Sequence, residues 1–350
     1  MRNFLSEDDI EIAVLKELCA QELPWRELDC YTADAGDLND KSNRSDKSEV
    51  VFKDILRRQL EQLNSELPER AIDIAEQELT KGRRAMTLMN ANIEVYKLIR
   101  EGVPVSYDNE HGKEENAFVQ VIDFENPENN DFLAVQQLWI HGELGYRRPD
   151  VVLYINGLPL ILIELKNNSV SVEDAYTDNL NNYKNELHQL FWYNAITILS
   201  NGKETKVGSF TAGWEHFGEW LRVDDEKERP DKSEIKKSSN SLKYTVNGIL
   251  TQQNVLDFIE NYVMFYRNDF KVLAKNHQYL GVNNAVNSFS DRLNKEGRLG
   301  VFWHTQGSGK SFSMVFLARK IFRKFNGNFT FVIITDREDL DTQIYRNFLD

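Results

Sequence analysis

Apolar side chains near the N-terminus fall at helical spacing. Ile10, Ala13, Val14 and Leu18 line one face of residues 6–20 behind an acidic start, which predicts an amphipathic helix. Residues 32–48 carry almost no apolar side chains and read as an exposed loop. From Val50 to about Arg100 the helical period returns, with Phe52, Ile55, Leu56, Leu60 and Leu63 in one stripe. A long helix or a helix pair is expected there. Alternation in AFVQVIDF (117–124) predicts a strand. Two further apolar runs, 150–155 and 158–165, flank Asn156-Gly157, the strongest hairpin feature of the chain. Residues 173–190 are again helical in pattern, 195–200 reads as a strand, and Asn201-Gly202 turns the chain into KVGSF. These elements predict an α+β unit with a mixed sheet flanked by helices.

The pattern changes in the second half. Residues 224–241 are polar and dense in mixed charge, the composition of a linker or long surface loop. Helical spacing follows from Thr251 to Arg292. An apolar strand (299–304), a Gly-rich turn, an amphipathic helix and a second apolar strand (329–336) then read as a parallel βαβ unit. The chain therefore divides into residues 1–223, a connecting stretch 224–250, and the start of an α/β unit over 251–350.

Composition changes this picture little. The 350 residues carry 42 Lys+Arg against 56 Asp+Glu, a net charge of −14. That balance argues against a protein that coats nucleic acid with its whole surface, while leaving room for a local basic groove. The N-terminus has no apolar signal core, and no run approaches the length of a membrane span. Cys19 and Cys30 offer neither a disulfide framework nor a metal-binding spacing. A cytoplasmic chain with no membrane association is expected.

Two groups of residues carry chemistry. His304-Thr-Gln-Gly-Ser-Gly-Lys-Ser311 lies between a predicted strand and helix. Gly307 and Gly309 let successive N–H groups curl around one anion at a helix N-terminus. Thr305 and Ser308 complete this loop, Lys310 would reach the β- and γ-phosphates of ATP, and Ser311 would ligate Mg2+. His304 stands where the full pattern has glycine. Gln278, upstream, is positioned in sequence to read an adenine edge, and Thr335-Asp336-Arg337 would face the ligand side of such a sheet.

The second group is Asp150, Glu164 and Lys166. Glu164 and Lys166, two apart on a strand, share a face. A plain two-residue Asn-Gly hairpin would set Asp150 opposite Ile163 and turn it away from Glu164. An odd-length turn, such as a three-residue loop with a bulge at Gly157, brings all three together, and that turn is the expectation. Paired carboxylates suit Mg2+, which can activate water against a phosphodiester, with Lys166 stabilising the attacked phosphate.

The segments RRPDVVLYINGLPLILIELKN, DAYTDNLNNYKNELHQLFWYNAITILSNG and VFWHTQGSGKS together resemble the restriction subunit of type I restriction–modification enzymes, over about Glu7 to Asp350. The resemblance implies a PD-(D/E)xK nuclease followed by the first part of a RecA-like, superfamily 2 translocase of double-stranded DNA. It implies Asp150, Glu164 and Lys166 for cleavage, with Asp150, Glu164 and Ser311 as metal ligands. For ATP it implies Gln278, Thr305, Gly307, Ser308, Gly309, Lys310 and Ser311, and it makes Thr335-Asp336-Arg337 a DNA-tracking motif. Methylation and specificity subunits are the implied partners. The family's Gln-x-x-x-Tyr element aligns with Asn179…Tyr183, while a literal Gln189…Tyr193 lies ten residues on. Either pair is a candidate support for the site, and Glu7 or Glu11 is a further candidate neighbour of the metal. No Asp-Glu-x-His segment and no second motor lobe precede Asp350, so a fragment unable to translocate is expected. The rival readings are a stand-alone helicase–nuclease of repair or phage defence, and an ATP-gated DNA clamp that does not cut.

Overall fold

The computed structural model describes residues 5–109, 111–335, 344–346 and 348. The chain opens with α1 (Glu7–Cys19). The Ser6 hydroxyl accepts the Asp9 N–H, and the Asp9 carboxylate takes the Ser6 N–H in return. A reciprocal cap of this kind contributes about 1 kcal/mol. Strand β1 (Arg26–Asp29) follows. Three helices then occupy the stretch expected to hold one or two: α2 (Lys53–Leu63), α3 (Glu69–Thr80) and α4 (Leu88–Glu101). Pro68 and Thr87 impose the two extra boundaries. Proline cannot sit inside a helix, and the Thr87 hydroxyl accepts the Asn90 N–H to start α4.

Next come β2 (Val103–Asp108) and β3 (Glu114–Val119), which pair only with each other. The strand expected over 117–124 therefore stops at Val119. There the Asn64 amide takes over, bonding both the N–H and the carbonyl of Gln120 as a strand partner would. Strands β4 (Phe132–Gln136), β5 (Ile140–Gly142), β6 (Gly145–Arg147), β7 (Val151–Ile155) and β8 (Leu158–Leu165) follow. The helical pattern of 173–190 is realised in pieces: α5 (Val172–Asp174), a π-helical turn (Ala175–Leu180), α6 (Asn181–Glu186) and α7 (His188–Phe191). Then come β9 (Ile196–Ser200), β10 (Thr205–Gly208) and β11 (Gly218–Glu219).

The main sheet has the order β1-β4-β7-β8-β9-β10-β11. The β1/β4 and β8/β9 pairs are parallel and the other neighbours antiparallel. Every residue of β7 and β8 is buried, so these central strands are covered on both faces and read as apolar runs that Glu164 alone interrupts.

Residues 32–48 lack helix and strand, as expected, but they are not simply exposed. Asp40, Ser42, Arg44 and Lys47 are buried together. Asp40 accepts from Arg44 Nη2 at 2.8 Å, Lys47 Nζ at 2.7 Å and the Ser42 N–H at 3.0 Å. The loop is built around an ionic core, which an apolar pattern cannot register.

Part of the stretch expected as linker is helical. It holds α8 (Lys232–Ser238) and α9 (Ser241–Ile249), the latter burying Leu242, Val246 and Ile249. Then come α10 (Gln252–Asn261), the hairpin β12 (Val263–Tyr266)–β13 (Phe270–Leu273), and α11 (Asn276–Ser290). This region is tied back to the first half. Trp25 Nε1 donates to the Leu250 carbonyl at 2.8 Å, Tyr96 Oη to that of Ile259 at 2.8 Å, and Lys271 Nζ to Asn92 Oδ1 at 3.2 Å.

Helix α12 (Lys310–Lys324) forms as expected behind the Gly-rich turn. The flanking segments 299–304 and 329–335 form no strand, contrary to the βαβ expectation, and Val301 (93%), Trp303 (80%) and Ile334 (90%) are exposed. A parallel strand needs hydrogen-bonded neighbours and cover on both faces, and the described residues supply neither. Asp336 and Arg337 of the expected tracking motif lie outside the described residues.

Candidate active site

The β7–β8 hairpin decides where its carboxylates go. The Asn156-Gly157 turn is a two-residue one, with φ of 52° and 80°, so the three-residue turn expected from the sequence does not form. Asn156 is fully bonded: it accepts the Asp131 N–H at 2.8 Å and donates to the Val121 carbonyl at 2.8 Å. The Gly157 carbonyl accepts the Phe52 N–H at 2.9 Å, and a Cβ there would lie 2.5 Å from the Phe52 oxygen. The buried environment holds the short turn.

The extra residue enters further along. Tyr154 pairs with Pro159, but Leu153 pairs with Ile161, leaving Leu160 as a bulge on β8. From there the register runs Leu153–Ile161, Val152–Leu162 and Val151–Ile163, which carries Asp150 to Glu164. A one-residue bulge restores the face that a plain hairpin would have lost. Asp150 Oδ2 accepts the Leu165 N–H at 2.7 Å, fixing the carboxylate against the end of β8. The Lys166 N–H continues the pairing to the Ser200 carbonyl at 2.8 Å.

Glu164 is almost wholly buried, at 1% exposure, and its Oε2 has no hydrogen-bond partner. Burial, followed by repulsion from Asp150, pushes its carboxyl well above the ordinary range, against the pull of Lys166, Tyr183 and Asn179. Burial also pushes Asp150 up to about 6, with Glu7 adding to the rise while the Leu165 N–H, Lys166 and Arg148 oppose it. Glu11 of α1 joins this field. Its Oε2 accepts from Gln137 Nε2 at 2.6 Å, its Oε1 is buried without a partner, and burial raises it to about 7. Its part was readable in outline, since Glu11 heads an i, i+4, i+7 row with the buried Leu15 and Leu18. Among the described residues no group of three or more His, Cys, Asp or Glu side chains is placed to hold a metal ion.

Two side chains support Glu164 directly. Asn179 Nδ2 hydrogen-bonds its Oε1, and Tyr183 Oη donates to the same oxygen at 3.2 Å. The literal Gln189…Tyr193 pair is engaged elsewhere. Gln189 donates to the His141 carbonyl at 3.0 Å and Tyr193 to the Leu79 carbonyl at 2.9 Å. The π-helical turn and α6 thus deliver Asn179 and Tyr183, not the later pair, to the carboxylates.

The Gly-rich loop enters α12 through Gly309, at φ 84°. Lys310 Nζ donates to the carbonyls of His304 (2.8 Å) and Thr305 (3.0 Å). Gln278 is buried and donates to the Gly309 carbonyl at 2.9 Å, while its Oε1 accepts the Lys275 N–H. His277 contacts the Ser308 carbonyl at 2.9 Å, and Ser308 Oγ is buried without a partner. A cavity of about 480 Å³ opens beside the loop, lined among others by Thr211, Lys271, Gln278, Gly307, Gly309 and Phe312. Gln278 lies against the loop, with its amide bonded to the loop backbone.

An α/β unit with a buried strand-end carboxylate pair, followed by a Gly-rich loop opening a helix, fits a nuclease domain joined to the start of a motor. Residues 4–216 match the family described as Type I restriction enzyme R protein N terminus, and residues 277–350 match the family described as SWI2/SNF2 ATPase. The chain belongs to the type I restriction enzyme R protein family. It is 39% identical, over 98% of its length, to the Type I restriction enzyme HindI endonuclease subunit of Haemophilus influenzae, covering 33% of that protein. It is 31% identical, over 72% of its length, to the Putative type I restriction enzyme MjaIXP endonuclease subunit of Methanocaldococcus jannaschii, covering 26% of it. Identity to the Type I restriction enzyme SauMSSORF170P endonuclease subunit of Staphylococcus aureus is 25% over 76% of the chain. The chain thus spans a third or less of the length of these relatives. Among the described residues no helix is long and apolar enough to cross a membrane.

Proposed function

We propose that this chain carries the nuclease and the beginning of the ATP-driven motor of a restriction subunit, cutting double-stranded DNA by Mg2+-dependent phosphodiester hydrolysis. The observation that carries the reading is the Leu160 bulge, which brings Asp150 beside Glu164 in a buried site where Glu164 Oε2 has no partner. Two carboxylates with an orphaned oxygen fit a hard cation that keeps water ligands, the habit of Mg2+. When bound there, Mg2+ would supply an activated water and neutralise charge on the phosphate. Asp150, fixed by the Leu165 N–H, and Glu164, fixed by Asn179 and Tyr183, would hold it without rotamer search. Lys166 would hold the attacking water and stabilise the charge that builds on the phosphate oxygens as the P–O bond breaks.

The loop Thr305–Ser311 with Gln278 would bind ATP, Gly307 to Gly309 offering N–H groups and Ser311 ligating the nucleotide's Mg2+. Lys310 would exchange two backbone carbonyls for phosphate oxygens, and Gln278 would release the Gly309 carbonyl to meet the base. Methylation and specificity subunits are the proposed partners, in the cytoplasm. In the complete restriction subunit, Glu164→Ala and Lys166→Ala should each abolish cleavage while sparing DNA-stimulated ATP hydrolysis. Cleavage surviving both substitutions would contradict the site.

A further inference from the structure

The two arginines that precede Pro149 and Asp150 have different fates. Arg147 is committed: its Nε and Nη2 both meet the Glu186 carboxylate. Arg148 has no hydrogen-bond or ion-pair partner among the described residues. Its guanidinium carbon instead lies 4.9 Å from the centre of the Trp139 ring and 5.5 Å from that of Tyr31. Trp139 is anchored, its Nε1 donating to the Thr32 carbonyl at 3.1 Å, while Tyr31 is 59% exposed. Arg148 lies two residues before Asp150 in the chain, at the edge of the carboxylate site.

A cation over aromatic rings is held by their π-faces, and no hydrogen bond then occupies the N–H donors of its guanidinium. Two aromatic rings fix the group before any ligand arrives, which lowers the entropic cost of using those donors. The site also needs such a group. Glu7, Glu11, Asp150 and Glu164 bring up to four negative charges against the three positive ones of one Mg2+ and Lys166, so a further cation at the edge would favour an incoming phosphodiester. A planar fork is suited to two oxygens of one phosphate. We infer that Arg148, held by Trp139 and Tyr31, grips a backbone phosphate of duplex DNA beside the scissile bond. This inference rests on the nuclease reading above.

The test is fluorescence anisotropy of a labelled DNA duplex with the full chain. Ca2+ replaces Mg2+, and affinity is followed across a salt series. Arg148→Ala should weaken binding about tenfold and flatten the log–log salt slope by about one phosphate. Arg148→Lys should keep the slope and lose part of the affinity, since it keeps charge without the planar fork. An unchanged slope in Arg148→Ala would overturn the inference, most plainly if its melting temperature also fell, which would mark a structural role. Equal flattening by Arg147→Ala would overturn it too, as a general loss of positive charge. Plasmid nicking by Glu164→Gln in Mg2+ separates the two claims. If Glu164→Gln still nicks, the nuclease reading fails whatever the slope shows. If it is inactive and Arg148→Ala keeps the wild-type slope, the arginine inference alone fails.

Discussion

At the scale of single residues, buried charge is either satisfied by the chain or left for a ligand. Asp40 is satisfied: despite burial, hydrogen bonds from Lys47, Ser42 and Arg44 bring its carboxyl down to about 2. Asp40→Ala would leave two buried cations without their partner and should cost about 3–5 kcal/mol in a urea melt. Because the folded pKa is depressed, Asp40 contributes stability above about pH 4 that is lost as pH falls toward 2. Asp150 is the opposite case. Its carboxyl rises to about 6 when folded, so its contribution is full below about pH 4 and is lost as pH rises through 6. The metal-free chain should therefore weaken between pH 4 and 7, and saturating Mg2+ should raise the melting temperature more at pH 8 than at pH 5. An equal Mg2+ shift at both pH values would count against a cation between these carboxylates. Tyr183→Phe removes one donor to Glu164, a bond to a charged group worth about 1.5–3 kcal/mol. It should slow nicking roughly tenfold, with the fold otherwise intact.

At the scale of elements, the β7–β8 hairpin converts sequence into a site, and its turn is the place to perturb it. Gly157→Ala forces a Cβ into the Phe52 carbonyl at a positive φ and should destabilise the fold by about 1–3 kcal/mol, measured by chemical denaturation. The strands themselves were legible because β7 and the first six residues of β8 are apolar and flank Asn-Gly. The Leu160 bulge was not, since Leu-Ile-Leu-Ile gives no local clue to which residue is unpaired. The need for an extra residue followed from the carboxylates; its place follows from Asn156 and Gly157 being held so tightly that the turn could not take it. Likewise α1 was plain from its spacing, whereas the ionic core of residues 32–48 was invisible to a reading that treats polar as exposed. Asn179 and Tyr183 were separable from Gln189 and Tyr193 only once the π-helical turn fixed which side chains face Glu164.

At the scale of the whole molecule, the first 223 residues are not self-contained in packing. Trp25, Tyr96 and Asn92 all bond to backbone or side chains between Leu250 and Lys271. Residues 1–223 alone should thus lose the single cooperative melt expected of the full chain. A truncated form melting as sharply as the full chain would show that the contacts are dispensable. The same packing places the cavity beside the Gly-rich loop against Thr211 of the sheet-bearing half and Lys271 of the hairpin, so that a nucleotide bound there would touch both regions.

On this reading Asp150 and Glu164 share one divalent cation. A Mn2+ titration followed by electron paramagnetic resonance reads that sharing. The wild-type chain should hold one Mn2+ that is lost in both Asp150→Asn and Glu164→Gln. Undiminished Mn2+ binding in either variant would contradict the claim.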